Sequence, residues 1–204
     1  MVAVIPLVRP WPAAQQAAVT DLAENGLAVI GITYDTSSAR ELARRQIRAA
    51  LVETLAVACH CPPSQIRLLS TPAQPVQVLI PGWQISLSIS HESGLSVAVI
   101  CDGGVAGIDI VRVDETLDWK AVAELYLGSE VAGAIGRRPV HDQARCFALK
   151  WAEQEARLKC RSLAISEWSA GLARELAQCR AIPLDLPATY AGSLAIQDSP
   201  SAGE

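Results

Sequence analysis

The clearest pattern in the chain is a strict alternation of apolar residues and serines in WQISLSIS, residues 83–90. Ile85, Leu87 and Ile89 fall on one side of an extended chain, which predicts a β-strand with one buried face. The next residues, HESG, predict a turn, and LSVAVICD predicts a second strand, so that the two strands form a hairpin. Gly103-Gly104 then predicts another turn before VAGIDIV, which reads as a third strand.

Helical periodicity dominates two other regions of the chain. Residues 36–59, TSSARELARRQIRAALVETLAVAC, carry an apolar stripe at helical spacing, and residues 36–38 offer hydroxyl side chains as an N-cap. From about Glu115 helical segments follow one another: ETLDWKAVAELYL, SEVAGAIG, the long amphipathic HDQARCFALKWAEQEARLKC, and a short helix in SEWSAGLARELAQ.

Further strands are predicted outside these segments. Residues 23–34, AENGLAVIGITY, predict a turn at Asn25-Gly26 followed by a strand. Short strands are expected around residues 66–70 and 76–80, and ATYAGSLAI predicts a closing strand. Because strands and helices are mixed without a regular alternation, the expected fold class is α+β.

Composition narrows the possible partners. Half of the 204 residues are hydrophobic, which permits a sizeable core, and the net charge of −4 argues against general affinity for nucleic acid. No apolar run approaches the roughly 18 residues of a membrane span. The N-terminal MVAVIPLVRPWP has its first charge after the apolar stretch and contains prolines, so it is a poor signal peptide. With six cysteines and no export signal, we expect a cytoplasmic protein with reduced thiols.

Three stretches depart from these local patterns. Asp109 interrupts the apolar strand GIDIV, although aspartate is depleted in strands and an unpaired buried carboxylate is costly. The polar sequence Ser-His-Glu occupies residues 90–92 at the predicted hairpin turn. On the long helix, Trp151, Glu155 and Lys159 recur every four residues and form a slanting row that faces one neighbour.

Carboxylates together with a histidine and a lysine suit a phosphate group and its Mg²⁺. Magnesium takes one or two carboxylates, with phosphate oxygens and waters completing the shell, and the cationic side chains neutralise the remaining oxygens. Another interpretation is open at this point: Glu155 and Lys159 also form an ordinary i,i+4 helix pair, and a histidine in a turn is commonly a surface residue.

The three stretches resemble the motifs of the 4′-phosphopantetheinyl transferase superfamily, in its longer, surfactin-synthetase-activating type. ISHESG, GIDI and WAEQEARLK occur in the family's order and at fitting separations, at residues 89–94, 107–110 and 151–159. The third motif is matched at Phe147, Trp151, Glu155, Ala156 and Lys159. The resemblance extends from about residue 36 to 196, because SSARELARRQIRAAL resembles the family's arginine-containing helix.

The resemblance implies an enzyme that moves the 4′-phosphopantetheine arm of coenzyme A onto a serine of an apo acyl or peptidyl carrier protein. Adenosine 3′,5′-bisphosphate is released, and Mg²⁺ is required. The implied fold is a pseudo-dimer of two similar α+β halves, residues 1–103 and 104–198 with a tail at 199–204, and the active site lies in the cleft between the halves. Because one chain supplies both halves, we expect a monomer.

Residue roles follow from the same resemblance. Asp109 matches the metal-binding aspartate, and Glu155 matches the second metal carboxylate, which is also a candidate to deprotonate the attacking serine. Lys159 matches the lysine that contacts the pyrophosphate, and His91 with Ser90 matches the pair at the diphosphate.

Arginines on the first predicted helix offer a further contact with coenzyme A. Arg40, Arg44 and Arg48 lie four residues apart, and one or two of them suit the 3′-phosphate because the guanidinium fork matches phosphate geometry. A solvated basic helix face explains the same pattern equally well.

Departures from the family pattern bear on the metal site and on coenzyme A binding. Val111 stands where many members have a second acid, Gln154 replaces a lysine, and Gln74 replaces the lysine of a Gly-Lys-Pro loop. We therefore hypothesise that Glu92 completes the magnesium shell in place of the acid missing at 111. The alternative for Glu92 is a surface glutamate in a hairpin turn. The alternative function is a catalytically weakened relative that still binds coenzyme A or a carrier protein.

Overall fold

A computed structural model describes residues 7–35, 40–71 and 75–197, with Arg40 described at the backbone only. Within these ranges the strands are β1 Val8–Pro10, β2 Leu27–Thr33, β3 Arg67–Leu69, β4 Gln77–Leu79, β5 Ile85–Glu92, β6 Leu95–Asp102, β7 Val105–Arg112, β8 Arg180–Pro183 and β9 Tyr190–Gln197. The α-helices are α1 Gln15–Asn25, α2 Arg40–Ala58, α3 Trp119–Tyr126, α4 Ser129–Gly136, α5 Val140–Cys160 and α6 Ala170–Leu176. The predicted α+β class is confirmed.

The strands form two main sheets and a small hairpin. One sheet has the order β1-β2-β6-β5, the second has the order β7-β9-β8, and β3 pairs only with β4. All pairs are antiparallel except β1 with β2. The chain therefore passes from the first sheet to the second at the turn between β6 and β7, where Gly103 has a positive φ of 69° that favours glycine.

Two hydrophobic cores lie on opposite faces of the first sheet. One face packs against α1 and α2, where Leu22, Ile47 and Leu51 meet the strand residues Ile30 and Ile100. The other face packs against the second sheet, and its contacts are supplied mainly by branched aliphatic side chains: Val29, Val97, Val99, Ile108, Ile110 and Leu194. The second sheet is thus buried on this face by the first sheet, and α5 covers its other face.

Several predictions for individual elements are confirmed and others are corrected. The hairpin β5–β6, the strand β7 and the helices α2 to α6 occur where the patterns predicted them. His91 and Glu92 belong to β5, however, and the turn consists of Ser93 and Gly94. The serine face of β5 is also buried, since Ser88 and Ser90 are 9% and 5% exposed, so the prediction of a single buried face was wrong.

The elements that the sequence did not predict have weak local signals. Helix α1 has no side-chain N-cap and few large apolar residues, while β1 and β8 are three and four residues long and each ends in a proline. The predicted N-cap at residues 36–38 lies outside the described residues.

Gly107 allows α5 to lie directly on β7. A Cβ atom at this position would sit 2.1 Å from the carbonyl oxygen of Ala156 and 2.4 Å from the amide nitrogen of Cys160. Both are backbone atoms of α5, so no rotamer change relieves the clash. The last two turns of this helix therefore depend on glycine at 107.

We expect Gly107→Ala to lower the free energy of unfolding by about 3 kcal/mol, because helix and strand must separate to admit the methyl group. Gly133→Ala is the matched control: its Cβ meets only Arg137 Nη1, at 3.5 Å, within a helix, and we expect a gain of about 0.5–1 kcal/mol. Denaturant unfolding measures both. Equal stability of the two variants would contradict the close packing of α5 on β7.

Candidate functional site

Strand β7 meets β5 through side chains. Because β7 has β9 as its one backbone neighbour among the described strands, the amides on its other edge need acceptors. Alternate residues of β5 accept from alternate amides of β7: Ser88 Oγ from Ile108 N (3.1 Å), Ser90 Oγ from Ile110 N (3.2 Å) and Glu92 Oε2 from Arg112 N (3.3 Å). We call this set of contacts the β5–β7 seam.

Asp109 lies at the seam on the face of β7 that meets α5. Its side chain is almost fully enclosed, with 8% of the residue exposed. Asp109 Oδ1 accepts hydrogen bonds from Ser90 Oγ at 2.8 Å and from Lys159 Nζ at 2.7 Å. Lys159 Nζ also donates to the carbonyl oxygen of Ile108 at 3.1 Å. The aspartate in the apolar strand is therefore balanced by a lysine from the predicted third motif.

Ser90 connects the backbone of β7 to this carboxylate. Its oxygen accepts from Ile110 N, and its hydroxyl proton is donated to Asp109 Oδ1. Because the Ser90 oxygen accepts from a fixed amide, the direction in which its hydroxyl proton points is restricted. Asp109 Oδ1 thus accepts from two donors, Ser90 on β5 and Lys159 on α5. The predicted contact of Ser90 with a diphosphate stays a prediction, and the contact that the structure gives it is with Asp109.

Glu155 lies one helical turn before Lys159 on α5. Burial raises the pKa of its carboxyl group, the negative charge of Asp109 raises the pKa further, and the smaller effect of Lys159 lowers it. The Asp109 carboxylate is thus close enough to disfavour the ionisation of Glu155. Among the described residues Glu155 makes no hydrogen bond or ion pair, so one polar group of the site is left without a direct partner.

The carboxylates of the site determine whether it suits Mg²⁺. Within the described ranges no group of three or more His, Cys, Asp or Glu side chains is arranged to hold a metal ion. Asp109 and Glu155 nevertheless provide the one or two carboxylates that Mg²⁺ takes when phosphate oxygens and waters complete its shell. The residues present therefore fit a magnesium ion that binds together with a phosphate. Val111, two residues after Asp109 on β7, adds no ligand.

Glu92 is placed differently from its predicted role. Its Oε1 accepts from the amide of Ser93 at 2.7 Å, and its Oε2 takes part in the β5–β7 seam. Both carboxylate oxygens are therefore engaged by backbone amides. The hypothesis that Glu92 is a third metal ligand stays a prediction.

His91 lies on the opposite face of β5 from Ser90, because consecutive residues of a strand point to opposite faces. The His91 Nδ1 atom is 2.7 Å from Ser96 Oγ, across the hairpin on β6. The structure thus brings Ser90 to Asp109 and turns His91 toward the face that carries the α1 and α2 core. Its predicted role at the diphosphate remains a prediction.

A cleft of about 270 Å³ opens beside Lys159. Three of its lining residues are polar (Ser88, Lys159 and Ser162), and the others are apolar: Pro75, Val76, Leu87, Ile89, Leu163 and Ala164. The cleft thus has walls from β5, from the segment after residue 74 and from the end of α5. Ser162 was not predicted as a site residue, because a serine after a helix end carries no spacing signal.

The predicted coenzyme A arginines lie on α2. Arg44 Nη1 is 3.9 Å from Glu41 Oε2, and Arg48 donates to Ser70 Oγ, while the side chain of Arg40 is not described. Neither Arg44 nor Arg48 is among the residues that line the cleft in the described part of the chain. Their role in phosphate binding stays a prediction.

Two further departures from the family pattern have different outcomes. Gln154 Nε2 donates to the carbonyl oxygen of Tyr126 at 3.4 Å, so this side chain fastens α5 to the end of α3. Gln74 lies outside the described residues.

Comparison of the chain with models of known protein families and with curated proteins finds no match. In the ranges that the structure describes, none of the helices combines the length and the apolar composition needed to cross a bilayer. The arrangement of side chains at the β5–β7 seam is therefore the basis on which we infer function.

We expect Lys159→Met to lower the free energy of unfolding by about 3 kcal/mol, because it leaves the enclosed Asp109 carboxylate without its cation. Lys150→Met is the matched control on the same helix. Its partner Glu153 lies 2.8 Å away in a more exposed i,i+3 pair, and we expect a loss of about 0.5 kcal/mol or less. Thermal and denaturant unfolding of both variants measure the difference. Similar losses in the free energy of unfolding would contradict a larger contribution from the enclosed Asp109–Lys159 pair.

We expect Glu155→Gln to raise the thermal stability of the protein at pH 7 in the absence of divalent ions. A carboxyl group with a raised pKa in the folded state favours folding while protonated and loses that contribution as pH rises through the folded pKa. The gain of the glutamine variant over wild type should therefore vanish near pH 4 and grow toward pH 7.

Glu153→Gln is the control for this pH dependence. Glu153 forms ion pairs with Lys150 and Arg157, so its substitution should lower stability slightly at pH 7. Melting curves between pH 4 and 8 record both variants. A Glu155→Gln variant that melts below wild type at pH 7 would contradict repulsion between Glu155 and Asp109.

Proposed function

We propose that this protein transfers the 4′-phosphopantetheine arm of coenzyme A to a serine of an apo acyl or peptidyl carrier protein, with Mg²⁺ as cofactor. The observation that carries the proposal is the convergence at Asp109. Its carboxylate contacts Ser90 from the first motif and Lys159 from the third, although these residues lie 19 and 50 positions away in the chain. The three stretches that depart from the local sequence patterns therefore meet at one buried carboxylate.

The charged side chains around Asp109 suit phosphoryl transfer. Lys159 lines the cleft, and its ammonium group would stabilise negative charge developing on a pyrophosphate bound there. Asp109 and Glu155 would hold Mg²⁺, which supplies Lewis-acid stabilisation of the phosphate oxygens. In-line positioning and charge stabilisation of this kind account for most of the acceleration in attack on phosphorus.

Glu155 is suited to take the proton of the attacking serine. A positioned carboxylate serves as a general base for a hydroxyl proton, and Glu155 lies on α5 one helical turn before Lys159. The serine oxygen attacks the phosphorus that bears the pantetheine arm, and the bond from that phosphorus to the bridging oxygen breaks. Adenosine 3′,5′-bisphosphate leaves with the bond electrons, while the serine proton passes to Glu155.

The two-half organisation belongs to the same proposal. The passage between the sheets lies at the Gly103-Gly104 turn, next to the proposed boundary between residues 1–103 and 104–198. Each half contains a β-sheet with its own helices, and residues from both halves line the cleft. This arrangement supports a pseudo-dimer of two α+β halves with the active site between them.

A second candidate function is a catalytically weakened relative that binds coenzyme A or a carrier protein. Two observations favour it. Both carboxylate oxygens of Glu92 accept hydrogen bonds from backbone amides. Val111, on the face of β7 that carries Asp109, is apolar and adds no ligand. A site with two available carboxylates binds Mg²⁺ less firmly than a site with three.

Incubation with coenzyme A, Mg²⁺ and a panel of apo carrier proteins tests both candidates. We expect mass spectrometry to show addition of the phosphopantetheine arm to at least one carrier. Glu155→Gln should lower the rate about 100-fold or more, because it removes both a metal ligand and the proton acceptor. Glu153→Gln, two residues away on the same helix, should keep the wild-type rate.

The possible failures have separate meanings. Coenzyme A binding without transfer to any carrier would favour the weakened relative. Neither binding nor transfer would overturn the proposed function in both forms.

A further inference from the structure

Ser162 adopts a backbone conformation that favours glycine. Its φ is 54°, and among the described non-glycine residues only His60, with φ of 50°, is also positive. Ser162 ends α5 in a Schellman motif: its amide donates to Lys159 O at 3.1 Å, and the amide of Leu163 donates to Leu158 O at 2.9 Å. A side chain at this position costs free energy that glycine does not, so its presence calls for a reason.

Ser162 also lies at the wall of the cleft. Ser162 lines the cleft of about 270 Å³ together with Lys159, and the adjoining walls are apolar at Leu87, Ile89 and Leu163. Lys159 uses its ammonium group for Asp109 and for the Ile108 carbonyl, and an ammonium group has three donors. Lys159 and the exposed residue Ser162 therefore both line a cleft that is otherwise largely apolar, and their side chains carry an ammonium group and a hydroxyl.

This arrangement indicates the chemistry of the ligand. An ammonium donor and a hydroxyl donor beside apolar walls suit an anionic group attached to a less polar chain. A phosphate has enough acceptor oxygens to take a hydrogen bond from each donor at once. Within the proposed function, coenzyme A has this character, since its pyrophosphate continues into the pantetheine arm.

We propose that Ser162 is a substrate-binding residue whose hydroxyl donates to the phosphate contacted by Lys159. This inference rests on the proposed function for the identity of the substrate. The αL serine is retained in place of glycine because its hydroxyl contributes to binding, and the strained helix end brings that hydroxyl to the cleft next to Lys159. Ser162 thus extends the set of ligand contacts beyond the three motifs.

His60 provides a matched control within the same chain. It ends α2 in the same way, with its amide donating to Val57 O at 3.3 Å and the amide of Cys61 donating to Ala56 O at 3.1 Å. It has a similar positive φ but does not belong to the cleft lining in the described part of the chain. Glycine at either position relieves the same backbone strain, while only Ser162→Gly removes a group from the cleft.

The test compares Ser162→Gly, Ser162→Ala and His60→Gly with wild type. Both glycine variants should raise the Tm by about 2 °C. Calorimetric titration should show about tenfold weaker coenzyme A binding for Ser162→Gly and Ser162→Ala, and unchanged binding for His60→Gly. A variant that is more stable and binds more weakly is not the result of damage to the fold.

The outcomes separate this inference from the proposed function. If wild type binds coenzyme A and both Ser162 variants bind it equally well, the inference is overturned and the proposed function stands. If wild type does not bind coenzyme A but binds inorganic pyrophosphate more tightly than the Ser162 variants do, the proposed function is overturned. The contact between Ser162 and a phosphate is then supported. If wild type binds neither probe, both are overturned.

Discussion

The free edge of β7 imposes the constraint on which the candidate site depends. In the part of the chain that the structure describes, this strand has a backbone neighbour on one side, and its other edge lies against β5, so the amides of that edge require other acceptors. The acceptors are the side chains of Ser88, Ser90 and Glu92. The Ser90 oxygen accepts from the amide of Ile110, and its hydroxyl proton is donated to Asp109. The residue that satisfies an amide at the edge of β7 therefore also helps to fix the Asp109 carboxylate.

The charge of Asp109 is then balanced by α5. This helix lies close to β7 because Gly107 has no side chain, and the close approach brings Lys159 Nζ within 2.7 Å of Asp109 Oδ1. The same helix carries Glu155 one turn earlier, where the nearby Asp109 charge disfavours its ionisation. A lysine and a glutamate on consecutive turns thus give the aspartate one attractive and one repulsive neighbour.

Sequence patterns predicted much of this arrangement but not its buried polar contacts. Period-two alternation identified β5 and its apolar face, while the serine face was not expected to be buried, since polarity alone does not show that a hydroxyl meets another strand's amide. The motif spacing singled out Asp109, Glu155 and Lys159, and the structure places them together. Helix α1 and Ser162 were missed, because the first lacks a side-chain cap and the second is distinguished by its backbone conformation at a helix end, which no sequence pattern shows.

The β5–β7 seam differs from an ordinary sheet in how it responds to mutation. Hydrogen bonds of a backbone ladder are common to every residue type except proline, so substitutions leave them largely in place. The joint between these two sheets is instead encoded residue by residue, at every second position of β5. Single substitutions on β5 can therefore change the strength and the spacing of the contact between the two sheets. The backbone hydrogen bonds within each sheet stay the same.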